Sequence, residues 1–139
     1  ALTPWHTNYV LDNQVDMEDD LFSFERLQAW QESKAFVATI YTIIAKFPLE
    51  ERFALSTQVR RAVTSIPLNL AEGSARFSYR EKIRFVEYAY GSLNEVYCQL
   101  CIALDLKYIT QEDVDSLKPT IRHLGRMLKG LKRSFEGKD

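Results

Sequence analysis

Apolar residues recur along this chain at steps of three and four, the spacing that lines one face of an α-helix. Leu27, Trp30, Val37, Ile40, Tyr41, Ile44 and Phe47 form the first such stripe, with Ser23 placed to cap it and Pro48 to stop it. Pro48 suits the first position of a second helix, and Glu50 and Glu51 fall where the positive end of the helix dipole favours carboxylates. Leu55, Val59, Ala62, Val63, Ile66 and Leu70 supply the second stripe, which Gly73 brings towards its end. Ser78 followed by Glu81 reads as a capping box for a third helix from about Tyr79 to Leu106. Its stripe is Ile83, Val86, Tyr90, Leu93, Tyr97, Leu100 and Leu104, and Phe85, Tyr88, Ala89 and Val96 add apolar surface elsewhere around its girth, so it is expected to be buried on more than one side.

LKYIT closes that helix, and Thr110 with the acidic turn Gln111-Glu112-Asp113 opens a fourth. Val114, Leu117, Ile121, Leu124, Leu128, Leu131 and Phe135 then alternate steps of three and four, the seam of an antiparallel bundle. No alternating apolar run bounded by turn residues suggests a strand, and prolines and glycines are read as falling mostly at helix boundaries. The pattern predicts an all-α, up-down-up-down antiparallel four-helix bundle over residues 23–139. Residues 1–22 show no helical period and carry VDMEDD, so an irregular acidic arm is expected there, with Trp5, Tyr9, Val10 and Leu11 as side chains that would dock on a neighbouring surface.

The second helix carries two faces. Pro67 lies inside it, where proline removes a donor and crowds the carbonyl of Val63 at a cost of about 3 kcal/mol, so a bend is expected. Separate from the apolar stripe, Arg61, Ser65, Asn69, Glu72 and Arg76 project into a polar row about 80° wide. Glu72 and Arg76 are spaced to pair with each other, and Ser65 to bond the carbonyl of Arg61, which would satisfy the row on a wet surface. Ala62, Ser65, Ala71, Gly73, Ser74 and Ala75 are small enough to let another helix approach, which points instead to a subunit interface. Gly91-Ser92 in the aromatic third helix supports that reading.

With 139 residues, 46% hydrophobic and 27% charged, the chain has the balance of one globular domain. No apolar run reaches the roughly 18–20 residues of a membrane span, and the start has no signal-peptide order, so a cytoplasmic protein with no membrane partner is expected. The net charge of −1 conceals a polarity: residues 1–25 hold six acids and no Lys or Arg, whereas residues 118–135 hold six cations and no acid. On the fourth helix, Lys118, Arg122, Arg126, Lys129 and Arg133 project within about 80° of one another, away from the leucine seam. Such a line can follow a phosphate backbone, reading charge and shape rather than sequence because base-stacking aromatics are scarce on this face. A solvated face with cations near the helix C-terminus is the plainer alternative.

Catalytic chemistry finds no foothold. Neither His6 nor His123 has a Glu three residues before it, as a carboxylate-bridged metal site in a bundle requires. Cys98 and Cys101 form a C-x-x-C within a helix rather than at its start, with no second pair, and read as buried packing residues. No glycine-rich phosphate loop is present, and Gly73-Ser74-Ala75 has no preceding strand. No enzyme activity, catalytic residue, metal or cofactor is expected.

WQESKAF, FPLEERFALSTQVRRAVTSIPLNLAEGSAR and FVEYAYGSLNEV, spread over roughly residues 24–131, closely resemble the bacterial four-helix-bundle proteins encoded in intervening sequences of 23S ribosomal RNA genes. The family motif falls on Arg60, Arg61, Ser65, Pro67, Asn69, Glu72 and Gly73. The resemblance implies a four-helix bundle that assembles with itself as a five-membered ring, without enzymatic activity. A more distant likeness is to the accessory variability protein of diversity-generating retroelements, a ring that binds nucleic acid and a reverse transcriptase. The expectation is therefore a homo-oligomer, with a pentamer implied by the resemblance. Arg61, Ser65, Asn69, Glu72 and Arg76 would be at its interface, and Lys118, Arg122, Arg126, Lys129 and Arg133 would contact RNA or a ribonucleoprotein. The alternative is a protein-interaction scaffold with no nucleic-acid role, in which the acidic arm covers the basic helix.

Overall fold

The apolar stripes form the helices that their spacing predicts. A computed structural model describes residues 22–138 and contains α1 (Gln28–Ile44), α2 (Leu55–Ser74), α3 (Tyr79–Asp105) and α4 (Gln111–Phe135). Short 3₁₀ turns at Ser23–Arg26 and Leu49–Glu51 precede α1 and α2, and no strand occurs among the described residues. The expected all-α four-helix fold is the one observed. The acidic arm lies outside the described residues except for Phe22.

Cross-helix pairs give the order of the bundle. Lys46, just beyond the C-terminal end of α1, and Glu32, near its N-terminal end, meet Asp113 and His123 of α4 in descending order. Tyr79 and Glu87 of α3 meet Phe135 and Lys132 of α4, and Ser65 and Gly73 of α2 meet Ser92 and Phe85 of α3, again with opposed numbering. Each of these pairs is therefore antiparallel, which leaves α1 antiparallel to α2. The core runs along the common axis through Phe36 and Ile40 of α1, Val59, Val63 and Ile66 of α2, Val96 and Leu100 of α3, and Leu124 and Leu128 of α4. Each such side chain contributes about 1.5–3 kcal/mol through removal from water.

The helix ends depart from the sequence reading in instructive ways. Ser23 does not cap α1; it opens the 3₁₀ turn, and the N-cap position is Leu27, whose side chain has no hydroxyl to offer. Pro48 likewise precedes a 3₁₀ turn, so α2 starts seven residues later, at Leu55. Glu51 still serves that terminus, accepting a hydrogen bond from the Leu55 amide at 3.2 Å. Ser78 caps α3 by accepting from the Glu81 amide, one half of the expected box, and Thr110 and Asp113 form a reciprocal capping box on α4. At the C-terminus of α3, Tyr108 N–H donates to the Ala103 carbonyl and Lys107 N–H to that of Leu104, with Lys107 at φ +65°: a Schellman closure built on lysine instead of glycine.

Prolines and glycines do not collect at helix boundaries. Pro67 lies buried inside α2 and Pro119 exposed inside α4, each helix continuing on both sides. Gly91, Gly125 and Gly130 also lie inside helices, whereas Gly73 falls one residue before the end of α2, as expected. Gly73 answers to packing: a Cβ there would lie 2.8 Å from the Cβ of Phe85, so this position lets α2 approach α3.

Candidate nucleic-acid interface

The members of the cationic row of α4 have different surroundings. Lys118 sits 3.3 Å from Asp115, whose carboxyl is held below its ordinary value by a hydrogen bond from Gln111 and then by Lys118. Beyond the other end of the row's centre, Lys132 meets Glu87 of α3 at 2.9 Å, and that carboxylate holds its ammonium above the ordinary lysine value. Between these neutralised positions, Arg122, Arg126 and Lys129 have no carboxylate partner among the described residues, and neither does Arg133 one turn further on.

Those three cations edge a groove of about 320 Å³ between α3 and α4. Tyr90, Asn94 and Tyr97 line its α3 side, with Leu93, Ile121 and Gly125 between the walls. No acidic residue lines it. The Lys129 ammonium lies 5.4 Å from the centre of the Tyr90 ring, a cation–π contact that holds charge beside aromatic surface. Asn94 donates from Nδ2 to the Tyr90 carbonyl at 3.0 Å. A Cβ at Gly125 would meet Leu93 and Tyr90 side-chain atoms at 3.8 Å, so this glycine leaves the space between the helices open. The aromatics that seemed scarce beside the basic row are present after all, supplied by a different helix. The signal for them in the sequence was the seven-residue step from Tyr90 to Tyr97, read there only as core.

The polar row of α2 also divides. Ser65 donates to the Ala62 carbonyl and shares a hydroxyl–hydroxyl hydrogen bond with Ser92 of α3, and Asn69 donates to the Ser65 carbonyl at 2.8 Å, so both engage their own chain. Glu72 and Arg76 pair at 2.8 Å in the open, the Arg76 guanidinium also lying 4.7 Å from the Phe85 ring, and Arg61 is exposed. Ser74, whose carbonyl accepts from Lys82, faces α3 as Gly73 does; burial lowers the Lys82 ammonium below its ordinary value. Beside this row Leu68 is 66% exposed, and the outward side of α3 presents Tyr88 and Ile102, 50% and 44% exposed, with Gly91 between them facing open space.

Cys98 is exposed and Cys101 half-buried, both reduced, so the expectation of buried packing cysteines is corrected: the C-x-x-C straddles the outer edge of α3. Among the described residues no three His, Cys, Asp or Glu side chains gather as metal ligands would, and no helix is long and apolar enough to cross a membrane.

A protein-family model described as 23S rRNA-intervening sequence protein matches residues 25–130, most of the chain and all of the groove. No curated protein matches the chain. The chain belongs to the 23S rRNA-intervening sequence protein family.

Proposed function

We propose that this family member is a non-enzymatic, self-associating cytoplasmic protein that contacts RNA, free or within a ribonucleoprotein, through α4. The observation that carries the RNA reading is the run of Arg122, Arg126 and Lys129, none of them matched by a carboxylate among the described residues although Lys118 and Lys132 on the same helix are. Unneutralised cations aligned on one helix repel each other until a polyanion replaces their counterions, and releasing those counterions drives association. The family description, which names a sequence element of 23S rRNA, is in keeping with such a partner.

Self-association is supported by apolar surface on adjacent helices, Leu68 on α2 and Tyr88 and Ile102 on α3, beside the exposed Arg61, Glu72 and Arg76. Ser65 and Asn69 would then act by fixing the α2 backbone beneath that surface. A five-membered ring is proposed on the resemblance alone. Sedimentation velocity at micromolar concentration is expected to show an oligomer, and a stable monomer would overturn this half of the proposal.

For the other half, fluorescence anisotropy of a labelled structured RNA would compare the full chain, the chain lacking residues 1–22, and a Lys129→Glu/Arg133→Glu variant at several salt concentrations. Binding that falls steeply with salt and is lost in the variant is expected. Indifference of all three forms to RNA would leave a protein-interaction scaffold, a reading that the exposed Phe53 and Phe77 at the helix connections would then favour.

A further inference from the structure

The α3–α4 groove has features that a merely electrostatic surface does not need. A line of cations suffices to hold a duplex by its phosphates. Here the cations are matched by aromatics across the groove. Tyr90 lies opposite Lys129, and one seven-residue step along each antiparallel helix brings Tyr97 to the Arg122 end of the same groove. Seven residues at 1.5 Å span about 10.5 Å, roughly three nucleotide steps at the stacked spacing of 3.4 Å per strand.

We infer that this groove is a binding site for single-stranded RNA, with unpaired bases stacking on Tyr90 and Tyr97 and the backbone phosphates held by Arg122, Arg126 and Lys129. The inference rests on the RNA reading of α4 and deepens it. A duplex keeps its bases paired and stacked, and presents a convex row of phosphates to a protein; a loop or single strand can splay a base into a crevice of this size. An arriving base would displace the Lys129 ammonium from the Tyr90 face and free that cation for a phosphate, so the lost cation–π contact is replaced by stacking and an ionic contact. The Asn94 amide is anchored through Nδ2, which leaves its Oδ1 to accept from a base N–H, the ring N–H in uracil. Gly125 keeps room between the walls. An acidic peptide would satisfy the same cations but would make no use of two aromatic faces, which is why RNA is preferred as the occupant.

The test uses the full chain and a labelled ten-nucleotide oligouridine, with a blunt RNA duplex of equal length as comparison, titrated by anisotropy at several salt concentrations. Single strand is expected to bind at least tenfold more tightly than duplex. Tyr90→Leu/Tyr97→Leu should lose about ten- to a hundredfold in affinity for the single strand with little change in salt dependence, because stacking is not ionic. Tyr90→Phe/Tyr97→Phe should retain affinity, and circular dichroism of each variant reads the fold. Arg122→Gln/Arg126→Gln should flatten the logarithmic salt dependence by about 1.4, two phosphates at 0.7 each on a single strand. If the leucine variant, helical like the parent, binds as tightly as the parent while the glutamine variant does not, the groove inference fails and the basic-helix reading stands. Duplex preferred over single strand also overturns the inference. If neither RNA binds and a synthetic peptide of residues 1–21 does, both readings fail together.

Discussion

Helices α3 and α4 are similar in length, both bury a three-and-four seam against the same core, and yet they present opposite chemistry to solvent. Outside, α3 shows Tyr88, Gly91, Cys98 and Ile102, with half or more of Tyr88 in water. The outer side of α4 is cationic from Arg122 to Arg133, and its apolar residues are confined to the seam. One helix has apolar surface left over after the bundle has closed, and the other has charge left over after its ion pairs have formed. Unsatisfied apolar area is relieved by another copy of the protein, and unsatisfied like charge by a polyanion. The groove lies where the two helices meet, and it draws aromatics from one and cations from the other.

Breaking the comparison should cost most on α3. Tyr88→Glu/Ile102→Glu would place charge in the proposed contact between copies and weaken association by roughly 2–4 kcal/mol, seen as slower sedimentation with unchanged helix content, while leaving RNA affinity per chain intact. Arg126→Glu on α4 is expected to do the reverse. Sedimentation of the α3 variant as the parent does would remove that face from the interface.

The glycines sharpen the contrast at smaller amplitude. Gly73→Ala forces a methyl group against Phe85 and should destabilise the fold by about 1–3 kcal/mol in urea unfolding. Gly91→Ala meets nothing within the chain and should stabilise it by about 0.5–1 kcal/mol when measured in the Tyr88→Glu/Ile102→Glu background. Loss of association when Gly91→Ala is made in the parent would show that the open space is filled by a neighbour.

The smallest effect is on pH. Hydrogen bonds from Lys46 and from the Thr110 amide hold the Asp113 carboxyl below its ordinary value of 3.8. The folded chain therefore releases this proton more readily than the unfolded one, and the resulting stability is full above that value and lost as the pH falls through the lower, folded-state one. Asp113→Asn should flatten acid unfolding in that window, measured by circular dichroism.

The bundle was legible because burial on a helix has a period, and Val114 through Phe135 display it without interruption. Thr110 and Ser78 were legible as caps because capping is a contact between near neighbours in sequence. Gln28 and Leu55 as true starting points were not, because the 3₁₀ turns before them satisfy the backbone locally without a sequence signal as strong as Ser23 or Pro48. Pro119 passed for a boundary residue and proved tolerable inside α4, where it faces solvent.

The sequence alone determined the number of helices, their buried faces and the cationic row of α4, since each follows from spacing along one chain segment. Tertiary structure decided which of those cations lie beside aromatic surface, because the wall that faces Arg122, Arg126 and Lys129 comes from α3, whereas Lys118 pairs with Asp115 of its own helix. It also decided that Gly73, which lies near the end of α2 as expected, serves close packing there, and that Tyr90 and Tyr97 stand across a groove from Arg122, Arg126 and Lys129. Such facts depend on the register between antiparallel helices. Register is set by how whole seams interlock, and residues that lie on different helices carry no local mark that they will meet.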